Sequence, residues 1–163
     1  MLALAAAPVA CGHPERPAAA SLDASAAWDR MKQVLPGTWH AETRRGTGVD
    51  VAFRLVSSDS ALVETYGVGG AHETVTVFYR DHGDLWLTHY CAQGNQPRLR
   101  ATLATSSDVV LRFVDATNVS PDQGVMVERR LRFASDALEL TETYRNPDGS
   151  PDVTTLHFVR AAR

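Results

Sequence analysis

The sequence predicts an all-β protein: an antiparallel up-and-down β-barrel of eight to ten strands with one short N-terminal helix. Apolar and polar residues alternate with a period of two from Trp39 onward, which is typical of half-buried strands. Turn residues interrupt this alternation about every 10–15 residues, and no second helical pattern follows. Sequential hairpins are therefore expected, and closure into a barrel removes the open edges that so many strands would leave.

Composition limits the class of protein. The chain has 163 residues, enough for one domain with a tail, and its 44% hydrophobic content is too high for a disordered protein. The formal net charge is −3, and no run of basic residues is present. Nucleic-acid binding is not expected, because it depends on clustered Lys and Arg.

The N-terminal segment carries a compartment signal. Met1–Ala10 is an apolar run that ends at Cys11 and is too short to span a bilayer. We interpret residues 1-11 as a signal or lipoprotein-type segment, since Ala10-Cys11 resembles the cleavage point at which bacterial lipoproteins receive lipid. An exported protein, periplasmic or anchored in the bacterial envelope through lipidated Cys11, is predicted. The alternatives are an unprocessed tail and, without lipidation, a Cys11–Cys91 disulfide.

A tether and a helix precede the strands. Residues 12-24 are rich in Ala and Pro, which predicts a flexible spacer. The barrel domain is assigned to residues 25-163. Its helix is predicted over Ser25–Leu35, with Ser25 as the N-cap and an apolar face of Trp28, Met31 and Leu35.

Ten candidate strands follow the helix. They are Trp39–Arg44, Val49–Ser57, Ala61–Gly67, Glu73–Asp81, Leu85–Cys91, Arg98–Ala104, Val109–Asp115, Val125–Phe133, Ala137–Arg145 and Val153–Arg160.

Two of these strands place polar residues on an apolar face. Glu64 and Tyr66 share a face with Leu62, and His89 and Cys91 share a face with Leu85 and Leu87. If the leucines point inward, the polar side chains do too, and buried polar groups need partners. A pocket that holds water or a ligand would supply them.

A family resemblance rests on several segments. Gly37-Thr38-Trp39 opens the first strand after a short helix, a pattern that resembles the lipocalin-like (calycin) superfamily. A closer resemblance is to a family of mostly exported bacterial lipocalin-like proteins that has no assigned reaction. Its features are matched here by Ser60–Thr65, Thr76–Tyr79, Leu87–Cys91, Gly94–Arg98 and Phe113–Asn118. The resemblance implies structural roles for Gly37 and for Trp39, which would pack across the closed end.

The stretch Asp84–Arg98 joins the candidate pocket strand to a polar turn. Arg98 is expected either to hold a ligand carboxylate or to pair with Glu64 or Asp115. Asn95 in the turn, and Asp115 and Asn118 at the entry to the longest loop, are interpreted as turn-forming or capping residues.

His89 and Cys91 lie two residues apart on one strand, and their side chains are compatible with metal binding, haem binding or thiol catalysis. They have the spacing of a zinc or copper chelate, but two ligands are too few, and His40, His72, His82 and His157 are the other candidates. Haem bound through one His, as in nitrobindin-like barrels, is a second option. A thiol nucleophile with a His base lacks oxyanion donors and a hydrolase motif. No cofactor is predicted.

The leading hypothesis is a barrel that binds a small, partly apolar or amphipathic molecule, with Glu64, Tyr66, His89, Cys91 and Arg98 as polar contacts. The alternatives are an enzyme that uses His89 with Glu64 for an unidentified reaction, a haem-binding barrel, and an envelope structural or interaction module without a cavity. Oligomeric state is not predicted.

Overall fold

Ten antiparallel strands close into a barrel behind one helix, as predicted. The computed structural model describes residues 23–43 and 46–161. The elements are α1 (Ala24–Val34), β1 (Gly37–Glu42), β2 (Gly48–Val56), β3 (Ala61–Tyr66), β4 (Thr74–Asp81), β5 (Asp84–Tyr90), β6 (Gln96–Ala104), β7 (Asp108–Thr117), β8 (Val125–Phe133), β9 (Ala137–Arg145) and β10 (Pro151–Arg160). Each strand pairs with the next, and β1 closes on β10. The predictions for residues 1-11, including Cys11, and for nearly all of residues 12-24 lie outside the described residues.

The helix begins one residue earlier than predicted, and the cap is Asp23 rather than Ser25. The Asp23 carboxylate accepts a hydrogen bond from the Ala26 amide at 2.9 Å, which satisfies a free N–H of the first turn. Ser25 is instead inside the helix. No helix among the described residues has the length and apolarity needed to cross a membrane.

The helix closes one end of the barrel. Its residues Trp28, Met31 and Val34 are buried in the same core as the strands, and the Asp23 amide bonds to Ala104 at the end of β6. Trp39 is fully buried, and its indole N–H donates to the Leu35 carbonyl at 2.8 Å.

Arg160 lies over this closed end, its guanidinium 4.2 Å from the Trp39 ring centroid. It also donates to the Pro36 carbonyl at 3.0 Å. Gly37 has φ +122° and a Cβ position only 3.0 Å from the Arg160 Nη1 atom, so a side chain there would be strained and crowded.

The other end of the barrel is open at the junction of β1 and β10. These strands pair only at Trp39↔Arg160 and His40↔Val159, whereas β10 pairs with β9 along Pro151–Val159. The first and last strands therefore diverge from His40 toward the open end. Apolar side chains fill the closed half of the interior.

Candidate functional site

A layer of buried polar side chains crosses the interior between the apolar core and the open end. Glu64 and Arg129 have 0% of their surface exposed, Thr76 has 1% and His89 has 2%. Each lies two positions from a buried Leu or Phe of its own strand, which places it on the inner face. Such a layer is costly unless its groups are paired, so its hydrogen bonds determine what the site can do.

Arg129 is the centre of this layer. Its Nη2 donates to Glu64 Oε1 at 2.6 Å, and its Nη1 donates to Glu142 Oε1. Two atoms of the network, Glu64 Oε2 and Arg129 Nε, are buried without a hydrogen-bond partner among the described residues. The Arg129 guanidinium thus binds the carboxylates of Glu64 and Glu142, while one acceptor atom and one donor atom of the network can still form a hydrogen bond.

Burial and charge act in opposite directions on this network. Burial raises the pKa of Glu64 to about 7, and Glu142 adds to this effect while Arg129 opposes it. Burial disfavours the charge of Arg129, but Glu64 and Glu142 outweigh burial and raise its pKa above the usual value. Arg129 is therefore permanently charged, while Glu64 can take up or release a proton near neutral pH.

His89 is held on both sides by hydroxyl groups. Its Nδ1 lies 2.9 Å from Thr76 Oγ1, and its Nε2 lies 3.2 Å from the Tyr144 hydroxyl. Burial, with a smaller effect of the Arg129 charge, lowers the pKa of His89 to about 3. The imidazole is therefore neutral, and it donates through one nitrogen and accepts through the other.

A pocket of about 600 Å³ lies at the open end, where β1 and β10 diverge. It is lined by Thr43, Thr47, Tyr66 and the β10 residues 153–156. Thr154 in this wall lies directly opposite Glu142 on β9, which places the two Cβ atoms about 5 Å apart. Glu142 is not part of the wall, but it has 21% of its side chain exposed and lies next to Thr154, between the wall and the buried network.

Tyr66 is a second connection, because it lines the pocket two residues after Glu64 on the same strand. Burial raises its pKa, and the nearby Glu142 adds to that shift. Of the predicted contacts Tyr66 and Glu64, Tyr66 thus lines the pocket, whereas Glu64 is fully buried two residues away on the same strand.

Cys91 lies at the rim, just beyond the end of β5, and is half-buried as a free thiol. The Gln93 amide lies 3.5 Å from its sulfur. The ring nitrogens of His89 are bonded to Thr76 and Tyr144 rather than to Cys91, so the structure shows no thiol–imidazole pair.

Arg98 does not line the pocket, which corrects its assignment as a ligand contact, and the alternative expectation of a pair with Asp115 is the one that the structure shows. It is exposed on the outer wall, where its Nε donates to Asp115 at 2.7 Å and its guanidinium lies 6.0 Å from the Trp86 ring centroid. The alternation along β6 explains this, because Pro97 and Leu99 point inward and Arg98 must point outward.

The polar turn after β5 is fixed to the loop between β7 and β8. Asn95 is fully buried, and its Nδ2 donates to the Gly124 carbonyl at 3.1 Å and to Gln123 Oε1 at 3.2 Å. Asn118 has φ +54° and donates to Gln96 Oε1 at 2.8 Å. Hydrogen bonds of side-chain amides therefore hold these loops together, on the side of the barrel away from the β1–β10 opening.

The central residues Arg129 and Glu142, and the His89 partners Thr76 and Tyr144, were missed by the sequence reasoning. A signal was present, because Arg129 lies two residues before Leu131, and Glu142 and Tyr144 continue the inner face of Leu138 and Leu140. A register shift between Met126 and Glu128 interrupts the alternation on the other side of Arg129.

A second depression, of about 610 Å³, lies at the opposite end of the barrel. It is lined mainly by residues 132–134, 137–139 and 157–159. Its charged groups are already paired, as in the 3.1 Å bond from Arg132 to Glu139, so it is a weaker candidate than the open-end pocket.

Comparisons with known proteins assign no family. Neither the models of protein families nor the curated proteins that were searched match this chain. Within the described residues, no group of three or more His, Cys, Asp and Glu side chains is arranged to hold a metal ion.

Proposed function

We propose that the protein binds a small, partly apolar molecule in the open-end pocket, with the polar part of the molecule directed toward Glu142 and the buried network. The observation that carries this proposal is the 600 Å³ pocket beside a buried polar layer in which Glu64 Oε2 and Arg129 Nε have no partner. The pocket wall combines the apolar surface of Tyr66, Val153 and Leu156 with threonine hydroxyl groups, which suits a molecule that is only partly apolar.

The lipocalin-like resemblance supports the same proposal by analogy of fold. That resemblance, the export of the protein and the lipidation of Cys11 remain predictions. So do the haem and structural-module alternatives, but a haem iron would have to displace a hydroxyl partner of His89 to reach either ring nitrogen.

The enzyme alternative is less favoured by the geometry of His89. Its partners are Thr76 and Tyr144 rather than Glu64, and its pKa of about 3 is far from the neutral range in which a general base operates well. Ligand binding requires no such reactive group.

The proposal is tested by titrating the protein with Nile red, a neutral apolar dye whose fluorescence rises in apolar surroundings. Saturable binding to one site is expected. Thr154→Trp should fill the pocket and weaken binding at least about tenfold, a loss of about 1.4 kcal/mol. Val114→Trp, a matched change at an exposed position of β7, should bind as the parent protein does. No saturable binding, or equal loss in both variants, would overturn the proposal.

A further inference from the structure

The interior network has an excess of negative charge when its carboxyl groups are ionised. Glu64 and Glu142 contribute two negative charges and Arg129 contributes one positive charge, which leaves a net charge of −1. His89 is neutral, because both ring nitrogens are hydrogen-bonded to hydroxyl groups in a buried site. Among the described residues, Arg98, Arg130 and Arg132 lie on the outer wall, where they pair with Asp115, Asp108 and Glu139.

An uncompensated charge in a buried network needs a proton or a cation. In the free protein a proton on Glu64 can supply it, since Glu64 Oε2 is buried with no other partner. A bound cation next to Glu142 would supply it instead, because Glu142 is partly exposed and neighbours Thr154 of the pocket wall.

On the basis of the proposed function, we infer that the bound molecule is an organic monocation: a protonated amine on an apolar body. The ammonium group pairs with Glu142 beside Thr154, and the body lies against Val153, Leu156 and the Tyr66 ring. An anionic headgroup in the same place would face the Glu142 carboxylate.

Binding of such a cation is expected to release a proton. The positive charge near Glu142 favours ionisation of Glu64, whose other charged or titratable neighbours are Arg129 on β8 and Tyr66 on β3. His89 on β5 and Tyr144 on β9 face the same interior and stay neutral. Calorimetry at pH 7 in two buffers with different ionisation enthalpies measures this proton release.

The direct test compares three probes that share an eight-carbon body: octylammonium, 1-octanol and octanoate. Each displaces Nile red from the full chain at pH 7. Octylammonium is expected to bind at least about tenfold more tightly than octanoate. Glu142→Gln should remove this preference, whereas Asp115→Asn, which removes a carboxylate on the outer wall, should keep it.

A second variant keeps the test decisive if Glu142→Gln does not fold. Thr154→Lys places a competing ammonium group opposite Glu142 and should abolish octylammonium binding while 1-octanol still binds. Thr102→Lys is the control, because Thr102 lies at an exposed position of β6 and is not part of the pocket wall. Octanoate binding as tightly as octylammonium, or octylammonium binding unaffected by Thr154→Lys, would overturn the inference. Nile red binding without this charge preference would leave the proposed function standing, whereas no binding of any probe would overturn both.

Discussion

Arg129 and Glu64 lie 65 positions apart in the chain and form a fully buried ion pair, with Nη2 2.6 Å from Oε1. Burying two charges costs nearly as much as their attraction returns, so such a pair is weak evidence for stability. The pair belongs to the buried polar layer between the apolar closed half of the barrel and the open end. Glu142, the third member, is partly exposed and neighbours Thr154 of the pocket wall.

Removing the central cation should be strongly destabilising. Arg129→Met leaves Glu64 and Glu142 in the interior without compensation, and we expect the free energy of unfolding to fall by about 3–5 kcal/mol. Urea unfolding measures this change. The double variant Glu64→Gln, Arg129→Met should recover part of the loss, because the buried Glu64 carboxylate is then absent. A double variant that is no more stable than the sum of the two single effects predicts would contradict the coupling between Glu64 and Arg129.

The buried His89 should make the protein sensitive to acid. Its pKa is about 3 in the folded state and 6.5 in the unfolded chain, so the unfolded state binds more protons below pH 6.5. This contribution to stability is present above pH 6.5 and should decline by about 2 kcal/mol between pH 7.5 and pH 5.

The measurement for His89 compares urea unfolding of the parent protein with that of His89→Gln at several pH values. The amide of Gln retains hydrogen-bonding capacity toward Thr76 and Tyr144 but does not titrate. The stability advantage of the parent protein over His89→Gln should therefore shrink as the pH falls. A constant difference from pH 7.5 to pH 5 would show that His89 does not carry this linkage.

Glu64 should act in the opposite direction. Its pKa is raised from 4.5 to about 7, so the folded state binds more protons than the unfolded state between these values. The stabilising contribution of the Glu64 proton is fully present below pH 4.5 and should be lost, on the order of 2 kcal/mol, as the pH rises through 7. Glu64→Gln mimics the protonated form and does not titrate. The free energy of unfolding of this variant, relative to that of the parent protein, should therefore rise as the pH is raised from 5 to 8. A stability difference between the two proteins that stays constant from pH 5 to pH 8 would mean that Glu64 is already ionised in the folded state.

Arg98 should be dispensable for binding. It lies on the outer wall, paired with Asp115 and close to Trp86, away from the open-end pocket. Arg98→Ala is expected to leave the affinity for Nile red unchanged, in contrast to Thr154→Trp. A large loss of dye affinity in Arg98→Ala, with the same circular dichroism spectrum as the parent protein, would place the site on the outer wall.

The barrel could be predicted because its physical signals are local. Period-two alternation, turn residues at regular intervals and the absence of further helical patterns specify hairpins, and the cost of open edges specifies closure. Glu64 and His89 could be assigned to the interior for the same reason, since each continues a row of buried leucines. Helix capping was less predictable, because Asp23 and Ser25 are both suitable N-caps and only the tertiary position of the helix decides between them.

Arg129 and Glu142 at the centre of the site were harder to predict, although both lie at inward-facing positions of their strands. An Arg within β8 is normally read as solvent-exposed, because a buried guanidinium needs partners that a single strand cannot show. Glu64 on β3 and Glu142 on β9 are those partners, and only the closed barrel brings them to Arg129. Arg98 is the opposite case, an exposed residue that was predicted to lie inside. It was assigned to the pocket because it follows the strand of His89, although the alternation along β6 directs its side chain outward.

The binding claim is tested most directly by mapping backbone amide chemical shifts during titration with 1-octanol. Saturable shifts are expected at Tyr66, at Glu142 and along residues 153–156, with the turn at His82 and Gly83 at the closed end unchanged. Shifts that do not saturate, or that cluster around the depression at residues 132–134 and 137–139, would contradict a ligand site at the open end.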